Sequence, residues 1–268
     1  MKRKRVRLMN KKIPPLESIK PYLPWGIPVL LLCLWQIGGR YGWISAQTLP
    51  EPIQVLEAGW RLIREGELFR YIGDSTIRAL TGLVVGGGTG LVLGFLCGLF
   101  SIAEKLLDTT VQMLRNIPHL ALIPLVILWF GIGEESKVFL VALGVFFPLY
   151  LNTFHGIRSL DPGLIEMGNI YGLRGWSLFR IIILPGAMPS ILVGLRYSLG
   201  IMWLTLIVAE TISSDTGIGY MAMNAREFMQ MDVVVLSILL YAFLGKLADA
   251  WAGWLEKRVL KWKTDWSR

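Results

Sequence analysis

Glu166-Met167-Gly168, followed after three residues by Gly172 and after nine more by Ile182-Ile183-Leu184-Pro185, stands between two strongly apolar runs of this chain. Asp161-Pro162 opens the segment as a helix start, an acidic cap followed by proline at the first helical position. Leu164, Ile165, Met167 and Gly168 form a small apolar side, while Glu166 and Asn169 offer polar groups. Gly172 suits a left-handed helix ending. Beyond it Trp176, Phe179 and Ile183 repeat at helical spacing, predicting a second short helix that Pro185 and Pro189 stop before the next apolar run. The plain alternative is a connector carrying an interfacial amphipathic helix. An apolar chain has little reason to keep this loop, 156–186, unless something outside the membrane grips it.

The runs on either side decide the fold class. Of the 268 residues 54% are hydrophobic and 17% charged, too apolar for a soluble domain. Runs close to the length of a bilayer crossing fall at Trp25–Tyr41, Ile77–Phe100, Ile117–Ile132, Val138–Phe154, Ser190–Thr211 and Val233–Trp254. The expectation is an all-α integral membrane protein of about six spans. It divides into a basic tail 1–24, a membrane domain 25–255 and a second basic tail 256–268. The start does not read as a cleavable signal, because its basic region is long and no small-residue cleavage site follows.

The net charge of +8 would fit nucleic acid, but its distribution does not. Lysines and arginines crowd residues 2–20 and 257–268, and Arg158, Arg174 and Arg180 flank or enter the loop. The alternate connections carry Glu51, Glu57, Glu65, Glu67, Glu134, Glu135, Asp215 and Glu227. This is the positive-inside pattern. It predicts a cytoplasmic loop and two cytoplasmic termini, and a basic tail against anionic lipid rather than nucleic acid. Cys33 and Cys97 lie in apolar runs and read as small hydrophobes. His119 and His155 have no neighbouring ligands, so no metal site is expected.

Gly82, Gly86, Gly90, Gly94 and Gly98 recur every fourth residue and predict a helix face packed closely on a neighbour. Gly86-Gly87-Gly88-Thr89-Gly90 lacks the Lys-Ser/Thr that would make it a phosphate loop, so the chain should not hydrolyse ATP itself. Residues 53–70 predict an amphipathic helix, either at the outer interface or packed on the bundle's end. Residues 101–116 read as a polar helical connection outside the hydrocarbon. That would put Arg115 near the cytoplasmic edge, reaching for headgroups or attracting an anion. Pro118 and Pro124 predict a bent third span. Arg196, Thr205 and Glu210 are the polar residues of the fifth run, with Trp203 and Tyr197 beside them. They either shape a path or, for Arg196, reach headgroups and, for the aromatics, pack helices. Lys246 and Asp249 predict an i,i+3 pair.

The loop spacing resembles the "EAA" loop of permease subunits of ATP-binding-cassette importers, with Met167 and Gly168 in place of the two alanines. Met113–Ile132, the run Leu184-Pro185-Gly186-Ala187-Met188-Pro189-Ser190 and Trp203–Glu210 place the resemblance in the nitrate/sulfonate/taurine branch, most like its aliphatic-sulfonate permeases. It extends from about Leu49 to Trp254. The resemblance implies a type I importer permease fold and a non-enzymatic subunit. It implies that Glu166, Met167, Gly168, Gly172, Ile182, Leu184 and Pro185 couple to a separate ATPase, which binds ATP and magnesium. It further implies a homodimer in the bacterial inner membrane, served by an extracytoplasmic solute-binding protein. The cargo would be a small anion, with Arg115, Arg196, Trp203, Thr205 and Glu210 as candidates for its path. Taurine or nitrate as cargo, or an ion-coupled secondary transporter, are the alternatives. The transporter would need midplane carboxylates or inverted repeats, and neither is evident.

Overall fold

The structure is a computed structural model that describes residues 23–262, so most of both basic tails lies outside the described residues. Among the described residues there is helix and no strand. The helices are α1 (Leu23–Arg40), α2 (Pro52–Arg64), α3 (Glu67–Leu99), α4 (Ser101–Arg115), α5 (His119–Phe130), α6 (Glu134–Arg158), α7 (Pro162–Ile170), α8 (Leu184–Ser213), α9 (Ile218–Glu227) and α10 (Met231–Val259).

Alpha-helix is the enforced solution here, because a segment in hydrocarbon must satisfy its backbone internally. The centre is α6, packed along α3 on one side and α8 on another. Val141, Val145 and Leu149 of α6 meet Leu199, Met202 and Leu206 of α8 in one buried cluster. The glycines of α3 let its backbone lie against α6. A Cβ on Gly86 would stand 2.0 Å from the Ala142 carbonyl oxygen, and one on Gly90 2.6 Å from that of Phe146. The α7 loop closes one end of the bundle (the loop end); α2 and α9 close the other (the far end).

Four helices are long and apolar enough to cross a membrane, or five with α4 and α5 taken as one broken span, against the six expected. The apolar part of α1, Gly26–Arg40, is the short one. Its C-terminal end is tied to the far end, where Trp35 Nε1 donates to the Pro50 carbonyl at 3.0 Å and Gln36 Nε2 to Glu51 Oε2 at 2.6 Å. The expected helix 53–70 ends at Arg64, since Gly66 turns left-handed at φ +77°, and α3 starts at once at Glu67. Its first polar turns precede the apolar run that marked the second span.

The third span differs most. Ile117–Ile132 is not one helix, and Ser101–Asn116 is not a connection outside the bundle. Helices α4 and α5 meet at an 82° bend. Glu104 on α4 pairs with Arg158 at the loop end of α6. Asp108 accepts a hydrogen bond from Tyr150 Oη at 2.8 Å. His119 Nε2 lies 3.0 Å from Thr205 Oγ1, beside Gly144. Phe130 packs against Phe139 with the rings tilted and their centroids 5.0 Å apart, near the far end. Helix α4 therefore lies beside the loop-end half of α6 and α5 beside its far half, and Pro118, which has no N–H to give a helix, falls at the bend.

Candidate functional site

At the loop end, Asp161 Oδ1 accepts the Gly163 N–H at 2.9 Å and starts α7. The helix ends in a Schellman motif. Gly172 N–H donates to the Asn169 carbonyl at 3.0 Å and Leu173 N–H to that of Gly168 at 2.9 Å. Gly172 has φ +81°, which a residue with a Cβ adopts only at a cost. The chain reverses into Trp176–Leu178 and a π turn, Phe179–Ile183.

The second loop helix does not stop at Pro185 or Pro189. It runs on into α8 as one helix, Trp176–Ile212. Pro185 sits in the first turn after the π turn, where the register has already changed and its missing N–H is cheap. Gly168, the departure from alanine, is buried. A Cβ there would lie 2.5 Å from Ile182 Cδ1 and 2.8 Å from Leu178 Cδ1. The glycine thus brings α7 close against the π turn. Ile182 and Leu184 are half-buried on this inner side, and Phe179 meets Phe95 of α3 edge-on at 5.6 Å.

The outer side of the loop is apolar and bare. Ile170, Tyr171 and Trp176 are 84%, 79% and 72% exposed, with Leu164, Met167 and Glu166 exposed around them. Apolar side chains exposed in this way call for a cover, either a partner protein or lipid.

The residues expected along a path separate into two groups. Trp203, Thr205 and Glu210 are buried among the helices and line no open surface. Trp203 packs edge-on against Tyr241 at 6.2 Å, and Thr205 holds His119. Arg115 and Arg196 are exposed. Arg196 Nε contacts Asp249 Oδ1 at 2.6 Å and its Nη1 lies 3.9 Å from Glu256 Oε2, while Lys246 Nζ reaches Asp249 Oδ2 at 3.1 Å. Two carboxylates therefore balance two cations in the groove between α8 and α10. Arg115 lies at the bend rather than at an edge.

Sequence reasoning passed over Arg78, the centre of the far-end structure. It is 4% exposed and donates through Nε and Nη2 to Glu134, through Nη1 to Glu210 Oε1 at 2.8 Å, and to both oxygens of Thr216 at 2.6 and 2.7 Å. Glu210, 1% exposed, also accepts from Ser75 Oγ at 2.8 Å, Gly219 N–H at 2.9 Å and Tyr241 Oη at 2.9 Å. Lys137 Nζ meets Glu134 at 3.0 Å. Helices α3, α6, α8, α9 and α10 are joined through this one network. The available signal was an arginine and a glutamate of opposite sign in two separate apolar segments, each too costly to leave unpaired.

Comparison with known proteins accords with this architecture. Residues 90–261 match the family model described as binding-protein-dependent transport system inner membrane component. The chain is 59% identical over 239 residues to the putative aliphatic sulfonates transport permease protein SsuC of Escherichia coli (strain K12), covering 89% of this chain and 91% of that one. It is 44% identical to the protein of the same name in Bacillus subtilis (strain 168), over 90% and 87% of the two chains. It is 34% identical to the taurine transport system permease protein TauC of Escherichia coli (strain K12), over 88% of each. In fold it is similar to a chain of the inward-facing MetNI methionine ABC transporter, with TM-score 0.52, 17% identity, and 76% and 98% of the chains covered. The chain belongs to the binding-protein-dependent transport system inner membrane components and is a non-enzymatic permease subunit of an ATP-binding-cassette importer.

Proposed function

We propose that this permease carries small aliphatic sulfonates, as a pair of identical subunits with the loop end and both termini in the cytoplasm. The observation that carries the cargo is the 59% identity to a named aliphatic sulfonate permease over nearly the whole chain, against 34% to a named taurine permease. Orientation is supported by charge, since Lys105, Arg158, Arg174, Arg180, Lys257, Arg258 and Lys261 gather at the loop end, against Arg40, Arg61, Arg64, Arg70 and Arg226 at the far end. On this reading Glu166, Met167, Gly168, Gly172, Ile182, Leu184 and Pro185 build the coupling surface. The outer residues touch the ATPase, and the inner ones fix α7 on α8. ATP and magnesium are bound by the ATPase. Its closure then biases the bundle between two states through differential contact at the loop.

The test is uptake of labelled ethanesulfonate by cells that lack their own permease but hold the matching ATPase and binding protein. Uptake restored by this chain, and competed poorly by taurine or nitrate, is the expected result. Taurine or nitrate uptake without ethanesulfonate uptake would replace the cargo.

The coupling surface makes its own prediction. Gly172→Val forces a β-branched side chain into the left-handed turn and should cost about 1–2 kcal/mol at the ending of α7. Glu166→Lys reverses a charge on the exposed side. Both proteins should insert normally, yet recover several-fold less ATPase on purification and lose solute-stimulated hydrolysis. Full ATPase recovery in both would remove α7 from the coupling surface.

A further inference from the structure

We infer that Arg115 and Asn116, at the bend between α4 and α5, hold the anionic head of the solute midway through the membrane. The inference rests on the reading of this chain as an anion permease and adds the residues and the depth at which the anion is met.

Depth comes from α6, used as a ruler. His119 sits beside Gly144, which lies, at 1.5 Å per residue, about 15 Å along α6 from Glu134 and about 21 Å from Arg158. Asp108 is level with Tyr150, nearer the loop end. Arg115 and Asn116 lie between these two levels. An arginine there cannot reach either headgroup layer by extending its side chain.

Arg115 and Asn116 are nevertheless exposed, and neither side chain has a hydrogen-bond or ion-pair partner among the described residues. The same surface of α4 continues polar. Thr109, Gln112 and Asn116 share one face at i, i+3 and i+7, with Arg115 beside them. An unpaired arginine and a polar stripe at mid-depth are too expensive to face lipid tails. This face of α4 must therefore meet water or a second copy of the chain, and a path between two copies supplies both.

The chemistry selects the ligand. A guanidinium presents parallel N–H groups that match two oxygens of a planar or tetrahedral oxyanion, and the Asn116 amide adds a third donor. The nearest carboxylate along α4, Asp108, already accepts from Tyr150 Oη and from Gln112 Nε2 at 3.3 Å, so it does not neutralise Arg115. Arg196 is held by Asp249 and Glu256 and is a poorer anion site. Exposed Met113, Leu114 and Ile117 beside the bend suit the short alkyl tail of such a solute. A sulfonate with an apolar tail fits these groups, and a phospholipid headgroup does not occur at this depth.

The test uses the whole importer in nanodiscs and proteoliposomes, with Cys33 and Cys97 replaced by serine and alanine. Asn116→Cys should react with 2-sulfonatoethyl methanethiosulfonate, an anionic reagent that enters water-filled paths but not lipid, and ethanesulfonate should slow the reaction at least threefold. Arg115→Gln should cut ethanesulfonate uptake by about tenfold or more while the variant still inserts and recovers its ATPase at wild-type yield, and Arg115→Lys should recover part of the uptake. An unreactive cysteine at 116, with and without ATP, would overturn the inference, as would normal uptake by Arg115→Gln. Reaction of the Asn116→Cys importer without protection, together with no ethanesulfonate transport by the wild-type importer, would overturn the choice of sulfonate while leaving the bend on the path.

Discussion

Arg78→Met should lower the stability of the folded subunit by about 3–5 kcal/mol, because it removes one partner of a buried ion pair and strands the other. Glu210 would keep its donors from Ser75, Gly219 and Tyr241, but no positive charge would face a carboxylate that is 1% exposed. Glu134 would retain Lys137 and, being partly exposed, would suffer less. The expected readout is a large fall in the melting temperature of the purified importer and in its yield. Adding Glu210→Gln to Arg78→Met should return much of the loss, since it removes the stranded charge while an amide can still bond its neighbours. A single variant that melts with the wild type would show that the network is not holding the far end. The placement has a mechanical consequence. With α3, α6, α8, α9 and α10 joined through Arg78, Glu210 and Glu134, the far end should move as a unit. Loop-end motion must then pass up the bundle through α6 and α8, or bend the chain where it is already broken, between α4 and α5.

Much of this arrangement could be read from residue order alone, and the parts that could not share a cause. The long apolar runs and the alternation of charge give an all-helical membrane protein, and the loop spacing gives its family. Hydropathy reports lipid, however, and is silent about water inside a bundle. Thr109, Gln112, Arg115 and Asn116 make α4 read as an external connection, whereas a helix bordering the proposed path would be polar for the opposite reason. The same blindness hid Arg78. One residue inside an apolar run, it reads as the charged end of a span, and only the fold brings it to Glu210. Pro185 and Pro189 looked like stops because the rule for proline assumes regular i→i+4 spacing. The π turn at Phe179–Ile183 shifts that spacing just ahead of them. The departure from alanine at Gly168 could be seen but not explained until Ile182 and Leu178 were found against it.

The glycines of α3 show how far a periodic pattern goes and where coordinates add to it. A repeat of four announces a close face; it does not say which helix lies opposite or which glycine is critical. Here the partner is α6 of the same chain, so a substitution should damage the subunit itself before any pairing of copies. The three cases differ by what a new Cβ would strike. At Gly86 it would lie 2.0 Å from the Ala142 carbonyl oxygen and 2.5 Å from its carbonyl carbon and Cα, all backbone atoms that cannot rotate away. At Gly98 it would meet Ile157 Cδ1 at 2.7 Å, which can rotate away, and Ile157 Cβ at 3.0 Å, which cannot. At Gly88 it would meet nothing within 4 Å. Gly86→Ala should therefore force α3 and α6 apart and cost about 3 kcal/mol, with Gly86→Leu worse still. Gly98→Ala should cost less than Gly86→Ala, because Ile157 Cδ1 can turn aside and its Cβ need yield only a few tenths of an ångström. Gly88→Ala should be neutral or stabilise the helix by up to about 1 kcal/mol, as alanine does in a helix interior. Melting temperatures of the three alanine variants in nanodiscs should rise in that order, with Gly86→Ala far below the others. Should Gly86→Ala melt beside Gly88→Ala, the two backbones do not approach as described, and the contact that organises the bundle lies elsewhere.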